Sequence, residues 1–202
     1  TTRDVTWHWF LNTMTFTRHT TETAPVESIA ILRQIEADFG AIPDAYAIFA
    51  ESPATIATYF HASRCLREQG TLTPQQQQLV MLAISVENEC GYCVAAHSRG
   101  AATASVSAET LDTLRQGGTP RDPADAVLVT FARAVLTKGG KVAEREWDAF
   151  SDAGFTAAHA LEVVALIALK VLSNFANHLT RPEIDACLQD YRWSPACDTN
   201  QG

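Results

Sequence analysis

Apolar residues recur every three or four positions along most of this 202-residue chain, and the runs stop at proline, glycine and small polar residues. Residues 27–39 place Ile29, Ile31, Leu32, Ile35 and Phe39 at helical spacing and end at Gly40. Ser52-Pro53 reads as a helix N-cap with a first-turn proline, and Gly70 closes that helix. Thr73-Pro74 repeats the signal ahead of Leu79, Leu82 and Val86. Ser107 opens a short helix that Gly117-Gly118 ends. Asp122-Pro123 opens another, with Val127, Leu128, Phe131 and Val135 on its buried stripe and Gly139-Gly140 as its stop. A helix over 143–152 ends at Gly154, and Thr156 caps a long one running to about Leu179, near Pro182. No stretch alternates with period two between Asn-Gly or Asp-Gly turns. The pattern predicts an all-α fold: a helical domain over residues 25–190, preceded by an arm or tail (1–24) and followed by a C-terminal tail (191–202).

The helix from Thr156 is apolar on more than one side, through Leu161, Val163, Val164, Leu166, Ile167, Leu169, Val171 and Leu172. Such a helix must be covered nearly all round, so it is expected in the core and against a second subunit. Its most apolar part, 161–172, contains Glu162 and Lys170 and is too short to span a bilayer. These two charges are expected to face water or a subunit boundary. Leu79–His97 and Val163–His178 look alike, each an apolar helix ending in a polar tract with a histidine, which suggests a duplicated helical hairpin. The threonine-rich residues 1–24 carry Trp7, Trp9, Phe10 and Phe16 without clean periodicity, as a loose tail or an aromatic arm packing on a neighbour would.

Charge narrows the partners. The net charge is -8, and no Lys/Arg block occurs, so neither nucleic acid nor an anionic membrane is expected to bind. Five cysteines with one close pair do not resemble the disulfide framework of a small secreted domain. No secretory signal is visible at the N-terminus, and a reducing, cytoplasmic compartment is the expectation.

The chemistry concentrates in Cys90-Gly-Tyr-Cys93-Val-Ala-Ala-His97. In a helix, residues three or four apart share a face, with Cα atoms at i and i+3 about 5 Å apart. That separation suits a disulfide, so the two thiols can cycle between reduced and bonded forms. A helix starting near residue 90, after Glu87-Asn88-Glu89, would favour thiolate through its N-terminal dipole. The dipole favours Cys90, but His97 lies four residues past Cys93 and can take its proton directly or through one water. The expectation is therefore Cys93 as attacking thiolate and Cys90 as resolving thiol.

Other readings compete. A structural zinc site needs a fourth ligand such as His61; a thioredoxin-like motif needs a βαβ context that is not visible; inert core cysteines do not explain two thiols and a histidine at helical spacing. Cys65 reads as a packed residue, and Cys187 and Cys197 as incidental or as an adventitious bridge. His61 and His178 read as structural histidines.

The segment Leu72–His97 resembles the AhpD-like alkylhydroperoxidases of the carboxymuconolactone decarboxylase family, most specifically in its CxxCxxxH. Ile42-Pro43 through Ser52-Pro53-Ala54, Ala153-Gly154-Phe155-Thr156, Leu161-Glu-Val-Val and Asn174-Phe-Ala-Asn-His178 are similar to that family too, so the likeness covers about 27–185. The resemblance implies an AhpD-like helical bundle assembled as dimers, trimers or hexamers. It also implies reduction of an organic hydroperoxide or hydrogen peroxide by Cys93 with Cys90, and a proton relay through His97. An external dithiol or protein reductant resets the pair, and no cofactor or metal is called for. The relay glutamate of the family's peroxidases falls twelve residues before the first cysteine, where this chain has Gln78, which cannot take a proton at neutral pH. Glu87 would substitute if it turned toward His97. A redox sensor without turnover, and a decarboxylase- or lyase-like enzyme using His97, are the alternatives.

Overall fold

The computed structural model describes residues 15–195, which form nine α-helices and one 3-10 helix. In chain order these are α1 (Val26–Phe39), α2 (Asp44–Phe49), α3 (Pro53–Gln69), α4 (Pro74–Glu87), α5 (Gly91–Thr103), α6 (Ala108–Arg115), α7 (Pro123–Thr137), α8 (Glu144–Asp152) and α9 (Ala157–Thr180). The 3-10 helix, Ala186–Tyr191, follows. No strand occurs among the described residues, and the all-α expectation holds.

The helix starts follow local chemistry. Ser52, Ser107, Asp122 and Thr156 each accept a hydrogen bond from a backbone N–H of the first turn. Thr73 and Gln76 close a capping box, each side chain satisfying the other's backbone N–H at 3.2 and 2.9 Å. Each such cap stabilises its helix by about 1 kcal/mol.

Helix α4 is the centre. Leu79, Val80, Leu82, Ala83 and Ile84 are all fully buried, which covers more than one face. Val80 and Ile84 meet α7, α8 and α9 in a cluster with Phe131, Phe150, Phe155, Val163 and Leu166. Leu79, Leu82 and Ala83 meet α5, α6 and α7 through Val94, Ala101, Leu111, Leu114 and Val129. A third cluster joins α1, α2 and α3 around Leu32, Ile35, Phe49, Ile56 and Phe60.

Several expectations change. The six-residue α2 and the 3-10 helix were not anticipated, being too short to show a period. Leu79–His97 crosses a break between α4 and α5, whereas Val163–His178 lies inside one unbroken helix, so the two are not copies of one hairpin. Helix α9 has 24 residues and is apolar and long enough, by length and composition, to cross a membrane. It instead carries Lys170, Ser173, Asn174 and Asn177 on a buried face, as a core helix. Its outer side leaves Leu161, Val164, Phe175 and Leu179 exposed.

The described part of the arm lies along the same chain: His19 N–H donates to Ala47 O at 3.0 Å, and Arg18 pairs with Asp44 at 2.7 Å. Trp7, Trp9 and Phe10 fall outside the described residues, as does Cys197. Beyond the 3-10 helix, Trp193 packs on the α4–α6 cluster and donates to Arg115 O at 2.8 Å.

Candidate active site

Helix α4 ends in a turn that sets the sulfurs in place. Glu89 adopts a φ of 53°, in the left-handed region. Its N–H bonds Val86 O at 2.9 Å, and Cys90 N–H bonds Ser85 O at 3.0 Å, the two bonds of a Schellman motif. Cys90 leaves this turn as the N-cap of α5, which puts Cys93 in the helix's first turn. Both thiols thus lie at a helix N-terminus, where the dipole favours thiolate. They are free, buried and close enough for each to shift the other's ionisation.

The two sulfurs are not equivalent. Cys93 lines a cavity of about 600 Å³, and Cys90 is not among its lining residues. The cavity's walls are largely apolar and aromatic, with Phe39, Tyr46, Phe49, Tyr59, Met81 and Tyr92 on them. Tyr92 is fixed by its hydroxyl, which donates to Asp185 Oδ2 at 2.5 Å.

Helix α9 supplies the polar side of the site. Lys170, Ser173, Asn174 and Asn177 follow one helical stripe and are at most 5% exposed. Asn177 Nδ2 donates to Cys93 Sγ at 3.2 Å and reaches Cys90 Sγ at 4.0 Å. Lys170 Nζ lies 2.7 Å from His97 Nε2 and 5.9 Å from the centre of the Tyr59 ring. An ammonium can only donate, so Nε2 accepts and the imidazole proton sits on Nδ1. Nδ1 accordingly donates to Gln78 Oε1, 3.0 Å away. Gly100 makes room for this amide, because a Cβ there would stand 2.6 Å from Gln78 Oε1.

These contacts set the charges. Burial by itself would raise the Cys93 pKa; the hydrogen bond from Cys90, the Lys170 charge and the amides of Asn174 and Asn177 outweigh it and hold Cys93 well below the usual thiol range. The contact with Cys93, then burial, then the Cys93 charge push Cys90 up, so it keeps its proton. Burial, then the neighbouring ammonium, holds His97 well below the imidazole range, and it is neutral. Burial would lower Lys170, but Cys93 foremost, with Tyr59 and Cys90, keeps it above its ordinary value. The reduced site is a thiolate–ammonium pair beside a neutral imidazole.

Three expectations meet this geometry differently. The structure brings Cys90, Cys93, His97 and Gln78 together, but His97 spends both ring nitrogens on Gln78 and Lys170, with no bond to Cys93. Lys170 does not face water or a subunit boundary; it is 1% exposed and occupies the place expected for the proton-accepting contact. Glu87 does not turn toward His97; its Oε1 lies 2.8 Å from Arg133 Nε. Glu162 instead accepts the backbone N–H groups of Thr71 and Leu72 at 2.7 and 2.9 Å. His61 stands against the Phe60 ring, and among the described residues no group of three or more His, Cys, Asp or Glu is placed to hold a metal ion. His178 Nε2 donates to Asn88 O at 2.8 Å, tying α9 to the turn before Cys90. Lys170 and Asn177 were missed as site residues, although polar residues at 170, 173, 174 and 177 in an apolar helix were a visible signal.

The model of the carboxymuconolactone decarboxylase family matches residues 53–137, the stretch that carries the Cys90–Cys93 pair, His97 and Gln78. The helical architecture is AhpD-like. It is similar to an AhpD-core, peroxidase-related protein from Ralstonia eutropha JMP134, with TM-score 0.76 and 21% identity over 86% of this chain and 93% of that one. A peroxidase-related protein from Silicibacter sp. TM1040 has TM-score 0.70 and 17% identity over 83% and 87% of the two chains. The debrominase Bmp8, in a variant bound to 2,3,4-tribromopyrrole, has TM-score 0.72 and 16% identity over 90% and 96%. No curated protein matches the chain significantly.

Proposed function

We propose that the protein is a dithiol peroxidase that reduces organic hydroperoxides at Cys93. One observation carries this reading: Cys93 faces a largely apolar cavity as the low-pKa sulfur, with the Cys90 thiol in contact behind it. The Cys93 thiolate attacks the distal oxygen of the hydroperoxide, the O–O bond breaks, and an alkoxide departs to become the alcohol. Cys93 is left as a sulfenic acid. The Cys90 sulfur then displaces its oxygen as water, closing the disulfide, and an external dithiol returns both sulfurs to the reduced state by exchange.

The aromatic walls favour an alkyl or aryl hydroperoxide over hydrogen peroxide. A reducing compartment such as the cytoplasm suits the required reductant, and the reading calls for no cofactor. The exposed Leu161, Val164, Phe175 and Leu179 suit contact with a second copy of the chain. A lyase using His97 as acid and base is disfavoured, since both ring nitrogens are already engaged.

Cys93→Ser is expected to abolish hydroperoxide consumption, and Cys90→Ser to consume a single equivalent and stop. Full activity in both variants would overturn the proposal. Oxidation of the pair without sustained consumption in excess dithiol would favour a redox sensor.

Reductive dehalogenation of an aromatic ring is a second reading, motivated by the tribromopyrrole-bound neighbour and the aromatic cavity. Halide release from a bromopyrrole, stoichiometric with disulfide formation, would favour it.

A further inference from the structure

Lys170 is a buried cation to which the peroxide chemistry above gives no task. Three helices besides its own surround it. Tyr59 comes from α3, while Cys90, Cys93 and His97 come from α5, and Gln78 of α4 reaches it through His97. Nearby carboxylates are engaged elsewhere: Asp185 with the Tyr92 hydroxyl and the Asp44 N–H, Glu87 with Arg133. A buried ammonium needs a partner of opposite charge. Lys170 and Cys93 line the same cavity, and the Cys93 thiolate is the charge that keeps the proton on Lys170; oxidation removes that charge. Once the disulfide forms, Lys170 faces an imidazole, a phenol ring and amides, all neutral. A cation stranded in such surroundings gives up its proton.

We propose that Lys170 donates the proton that turns the departing alkoxide into an alcohol, and that it remains a neutral amine for as long as Cys90 and Cys93 are bonded. The proposal rests on the dithiol reading of the cysteine pair. Atoms and electrons balance. Cys93 thiolate, Lys170 ammonium, Cys90 thiol and ROOH become the disulfide, Lys170 amine, ROH and water. The ammonium proton goes to the alkoxide, and the Cys90 proton leaves in the water. The sulfur pair loses two electrons and the O–O bond gains them. On reduction, an external dithiol supplies two electrons and two protons, one proton reaching Cys90 and the other Lys170. A pair with one ionised thiol ordinarily takes up a single proton at neutral pH; this one takes up two.

The test equilibrates the whole protein with mixtures of reduced and oxidised dithiothreitol between about pH 6.5 and 8, below the thiol pKa of that reagent. Disulfide content is read from the mass of the Cys90–Cys93 peptide after acid quenching, and thiolate from its ultraviolet absorbance. Dithiothreitol exchanges two protons itself in this range. The equilibrium constant is therefore flat with pH if the protein also takes two, and shifts about tenfold per pH unit if it takes one. The expected result is a flat constant together with a persistent thiolate band. Lys170→Arg keeps a cation that cannot be neutralised, so its thiolate band is expected to remain while the constant shifts about tenfold per pH unit.

A tenfold shift in the unmodified protein with the band present overturns the proposal, as does absence of the band, or a flat constant in a Lys170→Arg variant that keeps the band. Should that variant not fold, the unmodified protein decides alone. Failure to form the disulfide at any ratio of reagents instead overturns the dithiol reading, and the proposal with it.

Discussion

Around α8, Phe131, Phe150 and Phe155 stack with ring centres 4.0 and 4.7 Å apart, whereas beside α2 and α3 Tyr46, Phe49 and Tyr59 meet tilted or edge-on at 5.6 to 6.3 Å. The first trio closes into solid core, and the second borders about 600 Å³ of open space next to Cys93. Both regions are aromatic; what separates them is the phenol oxygens of the second. Burial pushes the Tyr46 phenol up and keeps it protonated, and the Lys170 ammonium lies 5.9 Å from the centre of the Tyr59 ring. A buried phenol must keep its hydroxyl toward a polar neighbour, and that hold limits how far it can slide inward to fill the gap. The phenylalanines have no such hold and collapse onto each other.

This contrast can be broken at several points. Phe150→Ala should cost about 3–5 kcal/mol in urea unfolding while leaving the peroxide rate per folded molecule unchanged. Equal loss of rate and stability would mean that the two regions are coupled. Tyr59→Ala, at a half-buried position, should cost less, about 1–3 kcal/mol. It should also raise the preference for bulky over small hydroperoxides several-fold, measured as a ratio of kcat/KM.

A smaller effect concerns pH. Folding lowers the Cys93 pKa from its ordinary value of 9.0, so between the two values the unfolded chain binds more protons than the folded one. The reduced protein should therefore gain stability over Cys93→Ser as pH rises toward 9.0 and lose that advantage as pH falls through the folded value. Thermal melts of both proteins across this window check the sign. Glu87→Gln should do least, at most about 1 kcal/mol in stability, with the hydroperoxide rate intact, because Glu87 faces Arg133 and not the cavity.

The helix starts were legible in the chain because a cap is local: Ser52-Pro53, Thr73-Pro74, Ser107, Asp122-Pro123 and Thr156 each act within one turn. Helix α2 was not, since six residues give no period to read. At the site, Cys90, Cys93 and His97 were readable because separations of three and four residues fix which side of a helix they share. What spacing leaves open is which neighbour each ring nitrogen meets. That was decided by Lys170, which lies 73 residues further along the chain, and by the amide of Gln78. Gln78 had looked like a defect in a proton relay. Beside a neutral imidazole whose Nδ1 must donate, an uncharged acceptor is the partner that fits.

The contact between the two sulfurs also bears on how the protein ages under oxidative stress. A sulfenic acid on Cys93 has its resolving thiol within reach from the moment it forms, so disulfide closure requires no unfolding of α5. Hyperoxidation to the irreversible sulfinic and sulfonic acids must outrun that step. On the dithiol peroxidase reading, the same adjacency that makes the site recoverable would make it a poor floodgate: a surge of peroxide would exhaust the reductant before it destroyed the cysteine.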